Sequence, residues 1–135
     1  MTDLTTWLLE QIEADEVVAR AATEGPWEAA TGASGSESWV ERRNLADIAY
    51  VQGNPNHAAD AAHIATQDPA AALRRCAALR EAIEDAWGDH ERIEGEWGMC
   101  RSRERMEADG DCPDVVTSLA AMFSGRAGYA EAVGL

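Results

Sequence analysis

The first 22 residues repeat apolar side chains at helical spacing. One stripe contains Leu4, Trp7, Leu8, Ile12 and Val18, and the acids Glu10, Glu13 and Glu16 fall mostly on the opposite side. Apolar positions three and four residues apart share one face of an α-helix, so the pattern predicts an amphipathic helix from about Asp3 to Ala22. The segment 23–26, Thr-Glu-Gly-Pro, is expected to end it.

Short stretches with strand character follow between residues 27 and 52. They are Trp27–Ala30, Ser38–Glu41 and Leu45–Val51, and a cluster of Gly and Ser separates the first two. Short runs of this kind, bounded by turn residues, are typical of strands. The sequence therefore predicts a small antiparallel β-meander over residues 27–52.

A pair of helices is predicted over residues 56–96. Asp68 can accept hydrogen bonds from the free N–H groups at the start of a helix, and Pro69 suits the first helical position because its missing N–H needs no partner. Pro69 also disfavours helical geometry in the residue before it, so the preceding helix should end by about Gln67. The first helix is expected to begin at Asn56 or His57, and the second to run from Pro69 to about Glu94.

Residues 97–135 combine a polar, Cys-containing connection with terminal helices. A helical turn near residues 102–108 is an open alternative within the connection. Asp114 is predicted to cap a final helix that carries Val115, Leu119, Met122 and Phe123. The expected fold class is α+β and mostly helical, in a single domain of residues 1–135. It comprises an N-terminal helix, a small antiparallel β-meander and a C-terminal helical half with one long helix.

The formal net charge of −14 bears on which kinds of partner the protein can bind. Affinity for a phosphate backbone comes mainly from cationic side chains that displace counterions, so direct nucleic-acid binding is disfavoured. Residues 1–28 carry seven acids against one Arg, and residues 80–98 carry seven acids against two. Two acidic surfaces follow, and each is either a solvated helix face or a surface complementary to a basic partner.

The cysteine count and the hydropathy pattern concern the compartment. No window approaches the ~20 consecutive apolar residues of a membrane-spanning helix, and the N-terminus lacks the pattern of a cleaved leader. Three Cys at positions 76, 100 and 112 fit a reducing compartment better than a disulfide framework. We therefore expect a cytoplasmic protein.

Three separated motifs occur in one order along the chain. They are the heptapeptide Ala-Ala-Thr-Glu-Gly-Pro-Trp at 21–27, Asp-Ala-Ala-His-Ile-Ala at 60–65 with Asp68-Pro69, and Glu-Trp-Gly at 96–98 followed by Cys100 and by Cys112-Pro113. In this order they resemble a family of short actinobacterial and actinophage proteins of unknown function, and the first two are loosely similar to the Ead-like phage proteins. The resemblance implies an accessory protein of a phage or mobile element. It supplies no catalytic residue.

Three residues of the first helix of the pair are candidate metal ligands. His57, Asp60 and His63 are spaced i, i+3 and i+6, within roughly a third of the circumference of one helix. Imidazole and carboxylate bind zinc, and Cys76 or Glu81 could supply a fourth ligand. The alternative is a packed, hydrogen-bonded histidine.

His90, Cys100 and Cys112 form a second candidate zinc set. Thiolates and imidazole are typical ligands of structural zinc, although the chain lacks the Cys-x-x-Cys pair of a local zinc knuckle. The alternatives are free thiols or a reversible disulfide between Cys100 and Cys112. Zinc is the one cofactor that the sequence suggests.

The tryptophans and the missing catalytic motifs bear on catalysis. Trp27, Trp39, Trp87 and Trp97 could form an aromatic pocket, but in a chain with one Phe we expect them to supply bulk to the core. The Gly-rich segment 32–36 lacks the Lys that a phosphate-binding loop places after it, and no nucleophile elbow is present. An enzyme is therefore the less favoured class.

The functional expectation is a non-enzymatic accessory protein that binds a basic protein partner through an acidic helical face. The contact surface is expected within residues 81–96, at Glu84, Asp85, Glu91 and Glu94. Such a protein could inhibit or modulate a host nucleic-acid-binding or defence protein. The alternatives are a small metal-dependent or hydrolytic enzyme that uses His57 and His63, and a zinc-stabilised structural module.

Overall fold

The structure, a computed structural model, describes residues 3–43, 47–97, 106 and 112–135, with the backbone alone over 90–97. Its elements follow one another as helix α1 (Leu4–Ala21), strands β1 (Glu28–Thr31), β2 (Glu37–Glu41) and β3 (Asp47–Gln52), helices α2 (His57–Ala65), α3 (Pro69–Trp97) and α4 (Asp114–Ala120), a 3₁₀ turn (Ala121–Phe123) and the short helix α5 (Tyr129–Ala132). The predicted α+β class is confirmed, with its N-terminal helix, β-meander and long helix.

The chain forms two compact units, residues 1–14 with 76–135 and residues 15–75. The expectation of one domain stays a prediction. Among the described residues, no helix has both the length and the apolar character that a bilayer crossing requires.

The core of the first unit is built from the buried faces of its helices. Its members include Leu4, Trp7, Leu8, Ile12, Cys76, Ile83, Trp87, Met106, Val116, Ala120 and Phe123. Leu8, Ile12, Ile83 and Val116 are fully buried. The predicted stripe of α1 contains Leu8 and Ile12, whereas on α4 Val116 is buried and the predicted Val115 is 50% exposed.

Trp7 connects the start of the chain to its end within the first unit. Its Nε1 donates to the carbonyl oxygen of Ala127 over 3.3 Å, and its ring lies 5.8 Å from that of Tyr129. Gly128 has a φ of 82°, and a Cβ there would lie 3.0 Å from Trp7 Nε1. The Gly128-Tyr129 ending is therefore shaped by close approach to an N-terminal tryptophan.

The second unit contains the antiparallel sheet, in the order β1-β2-β3. Along β2, Ser38 and Val40 are buried, whereas Trp39 and the two glutamates beside them are half-buried. Helix α2 contacts all three strands. Side chains alternate between the two faces of a strand, so α2 covers one face of the sheet. The other face, which carries the exposed Tyr50, is open with respect to the part of the chain that the structure describes.

Two details of the helices differ from the prediction. Val18 is 69% exposed, and Ala19 is buried in its place, because position 19 lies almost in line with Ile12 around the helix whereas position 18 is about 120° away from Ile12. Asp114 is the first residue of α4 and not its cap, since Pro113 occupies the cap position in an extended conformation and no side chain caps the helix. Asp114 still places a negative charge at the positive end of the helix.

Candidate functional site

The acidic face of α3 is the surface on which the functional expectation rests. Glu84 and Asp85 are exposed, while Ile83 and Trp87 on the same helix are buried. The predicted contact residues Glu91 and Glu94 lie within the α3 backbone, but their side chains are outside the described residues. The described part of this face is therefore a pair of solvated carboxylates on a helix anchored by its opposite side.

A buried polar network joins α2 to the sheet. Ser38 Oγ lies 2.7 Å from His57 Nδ1, and the hydroxyl of Thr31 lies 3.0 Å from Ser38 Oγ. The other ring nitrogen of His57, Nε2, lies 3.0 Å from the carbonyl oxygen of Gly35. A carbonyl oxygen can only accept, so Nε2 carries a proton, and in the neutral ring Nδ1 accepts from Ser38.

This pair has the components of a serine nucleophile and its base, but not their accessibility. A nucleophile must contact its substrate, and the Ser38 side chain is fully buried between the sheet and α2. The network instead satisfies buried polar groups and fixes α2 on the sheet. Sequence reasoning missed Ser38, although the alternation of buried and open positions along β2 was a usable signal.

The first candidate metal set is divided by burial. His57 is buried and uses both ring nitrogens within the protein, so a metal ion would have to displace one of these hydrogen bonds. Asp60 and His63 are exposed. Cys76, the suggested fourth ligand, is buried in the core of the first unit. Within the described residues, no group of three His, Cys, Asp or Glu is arranged to hold a metal ion.

The second candidate metal set lies mostly outside the described residues. The His90 side chain and Cys100 are not among them. Cys112 is half-buried, and its Sγ lies 3.5 Å from Thr117 Oγ1. Zinc at His90, Cys100 and Cys112 therefore stays a prediction, and elemental analysis of the purified protein tests it directly.

Two of the sequence motifs meet beside a groove in the second unit. Asp68 Oδ1 accepts from the N–H of Ala71 over 2.7 Å, which confirms Asp68 as the cap of α3. A Cβ on Gly25 would lie 2.9 Å from Asp68 Oδ2. The Gly25-Pro26 peptide is cis, and Arg74 also lines the groove, which has a volume of about 610 Å³. Gly25 of the first motif and Asp68 of the second therefore lie in close contact, and this contact leaves no room for a side chain at position 25.

The tryptophans divide between the core and the surface. Trp87 is buried, as predicted, and Trp27 is half-buried with Nε1 donating to the carbonyl oxygen of Thr23 over 2.8 Å. Trp39 was expected in the core and lies instead on the open face of the sheet, stacked on Tyr50. The side chain of Trp97 is outside the described residues.

The fold and these surfaces define a small, strongly acidic α+β protein. The buried polar pairs that the structure describes support its fold. The chain belongs to a family of unknown function, DUF6221, which matches residues 1–132. No curated protein and no solved structure matches the chain. The expected membership of a family without an assigned function is confirmed.

Proposed function

We propose that this protein acts by binding a basic protein partner through the acidic face of α3, without chemistry of its own. The exposure of Glu84 and Asp85 on a helix whose opposite side is buried supports the proposal most directly. A rigid helix presents its carboxylates at a fixed spacing of about 1.5 Å per residue, which favours a partner with a matching row of cations. The proposed contact extends along α3 to Glu91, which is seven residues after Glu84 and therefore almost in line with it around the helix; Glu94 is seven residues after the buried Trp87, and its part in the contact stays a prediction.

The partner that we propose is a host nucleic-acid-binding or defence protein, and the source of this chain is an actinobacterial phage or mobile element, with a distant relation to Ead-like proteins. The order of the three sequence motifs supports the source. The net charge of −14 supports the class of partner, because a surface that binds a phosphate backbone is positively charged. An acidic helix face can occupy such a surface and exclude nucleic acid from it.

The test is a charge reversal with a matched control. In the test variant, Glu84→Arg and Asp85→Arg remove two acids from α3. In the control, Glu10→Arg and Glu13→Arg make the same change at exposed positions of α1. Each form is used to capture partners from host lysate at low and at moderate salt.

We expect wild type and control to retain a partner at low salt and to lose it as salt rises, because charges separated by more than ~8 Å are largely screened at physiological ionic strength. The α3 variant should lose it at both salt concentrations. Equal recovery by all three forms, or none by any of them, would show that the α3 acids only solubilise the protein.

A further inference from the structure

The open face of the sheet carries a stacked pair of aromatic side chains. Trp39 and Tyr50 are directly opposite each other on β2 and β3, with ring centroids 6.0 Å apart and ring planes inclined by 22°. Tyr50 is 57% exposed. The polar network beneath, through Ser38 and His57, fixes the opposite face of the same strand to α2, so the aromatic pair stands on a rigid support.

A row of three carboxylates crosses the sheet beside this pair. Glu28 on β1 is opposite Glu41 on β2. A register shift between Val40 and Glu41 then pairs Glu41 with Asp47 on β3, which brings Asp47 to the face that carries Glu41 and Tyr50. Like charges directly opposite one another on a sheet cost free energy, so the row favours a cation from outside the fold. Arg43 pairs with Glu28 over 3.3 Å at one end of the row.

Glu41, in the middle of the row, contacts the aromatic pair directly. Trp39 Nε1 donates to Glu41 Oε2 over 2.7 Å, which holds that carboxylate next to the indole ring. Asp47 is exposed, and among the described residues its carboxylate has neither an ion pair nor a hydrogen bond. One end of the row thus keeps an accessible negative charge.

We propose that this surface, formed by Glu28, Trp39, Glu41, Asp47 and Tyr50 and here named the open sheet face, binds an arginine side chain of a basic segment on a partner protein. A guanidinium is planar and stacks on aromatic rings, and its N–H groups reach carboxylates beside the ring. The ammonium of lysine is more strongly hydrated and gains less from stacking. The bases of a nucleic acid also stack on aromatic rings, but the row of carboxylates would repel the phosphates of its backbone.

The open sheet face shares no residue with the acidic face of α3. The inference shares with the proposed function only the positive charge of the partner. Either can therefore fail without the other.

The test uses three blocked glycine-spaced peptides with the intact protein. One contains three arginines, the second three lysines and the third three citrullines, which are neutral and close in shape to arginine. The probe is the Trp39 indole N–H in two-dimensional NMR, assigned by its loss in Trp39→Phe. We expect a saturable shift of this signal with the arginine peptide, binding weaker by about threefold or more with the lysine peptide, and no shift with the citrulline peptide.

Variants on the surface of the second unit separate this site from general charge effects. Tyr50→Ala and Asp47→Asn should each lower the affinity for the arginine peptide by about threefold or more. Tyr50→Ala removes half of the stacking surface, and Asp47→Asn removes an accessible charge. Val17→Ala removes an apolar side chain that is also 57% exposed, and Asp60→Asn removes an exposed charge from α2. Both controls should bind as the wild type does.

The outcomes are distinct. A Trp39 signal that none of the peptides moves, or that citrulline moves equally, overturns the inference. Sedimentation that shows a dimer lost in Tyr50→Ala would assign the open sheet face to a second copy and also overturn it. Glu84→Arg with Asp85→Arg should leave the Trp39 shift intact, so loss of the lysate partner in that variant concerns the proposed function alone.

Discussion

Asp68 is the residue whose local role is most clearly defined. Its carboxylate accepts from the Ala71 N–H, and its backbone carbonyl accepts from the Ala72 N–H. We expect Asp68→Ala to lower the free energy of unfolding by about 1 kcal/mol, because it leaves N–H groups of the first turn of α3 unsatisfied. Asp68→Asn retains an acceptor and should cost much less. Urea unfolding of the two variants checks this, and equal stability of Asp68→Ala and wild type would contradict the cap.

The Asp68 carboxylate also restricts which residue can occupy position 25. A methyl group at this position would lie 2.9 Å from Asp68 Oδ2, so Gly25→Ala forces the carboxylate away from the Ala71 N–H. The expected cost is therefore limited to about the value of the cap, roughly 1 kcal/mol. A double-mutant cycle tests the coupling, because Gly25→Ala should cost little once Asp68 is already Ala. Additive costs would show that the two residues act independently.

The hydroxyl of Ser38 hydrogen-bonds the His57 ring and fixes its orientation. Ser38→Ala leaves the buried Nδ1 of His57 without its hydrogen bond, and we expect a loss of about 1–3 kcal/mol in the free energy of unfolding. Ser36→Ala is the matched control, because Ser36 is exposed and bonds only the nearby Ser34 among the described residues. Urea unfolding compares the two variants. Nitrogen NMR of His57 should show the proton on Nε2, and a proton on Nδ1 alone would contradict the assignment.

Helix α3 continues through Gly88 without a break, and Ile83 and Trp87 before that position are buried. The residue is exposed, and a Cβ there would meet no neighbour within 4 Å. Gly88→Ala should therefore raise the free energy of unfolding by about 0.5–1 kcal/mol, since Ala loses less backbone entropy in a helix.

Gly35 supplies the control for this prediction. Its added Cβ would also meet no neighbour, but its φ of 69° is in the left-handed region. Gly35→Ala should destabilise by about 1 kcal/mol, because a Cβ is strained in that conformation. Thermal or urea unfolding of both variants measures the two effects. Changes of the same sign would contradict the backbone argument.

The charge of the whole molecule sets its expected behaviour towards nucleic acid. With a net charge of −14, the protein should not bind duplex DNA at physiological salt, because it has few cations with which to displace counterions. A gel shift at micromolar protein concentration is the measurement, with an arginine-rich DNA-binding protein as the positive control. Micromolar binding that weakens with salt would contradict the prediction.

Elements with local signals can be read from the sequence alone. Asp68 and Pro69 define the start of α3 because a cap and a first-turn proline act within a few residues. Leu4, Trp7, Leu8 and Ile12 indicated the buried face of α1, because helical spacing places them on one side of the helix. The composition likewise determined the net charge.

Tertiary structure decided what depends on contacts between distant parts of the chain. The sequence leaves His57 as either a metal ligand or a packed, hydrogen-bonded histidine. In the structure, the packing of α2 on the sheet brings its Nδ1 to 2.7 Å from Ser38 Oγ. Trp39 was assigned to the core because tryptophan is large and apolar, whereas strand register places it opposite Tyr50 on the uncovered face. Side chains that share a surface only after strands pair cannot be grouped by sequence spacing, because register and the choice of covered face are set by packing.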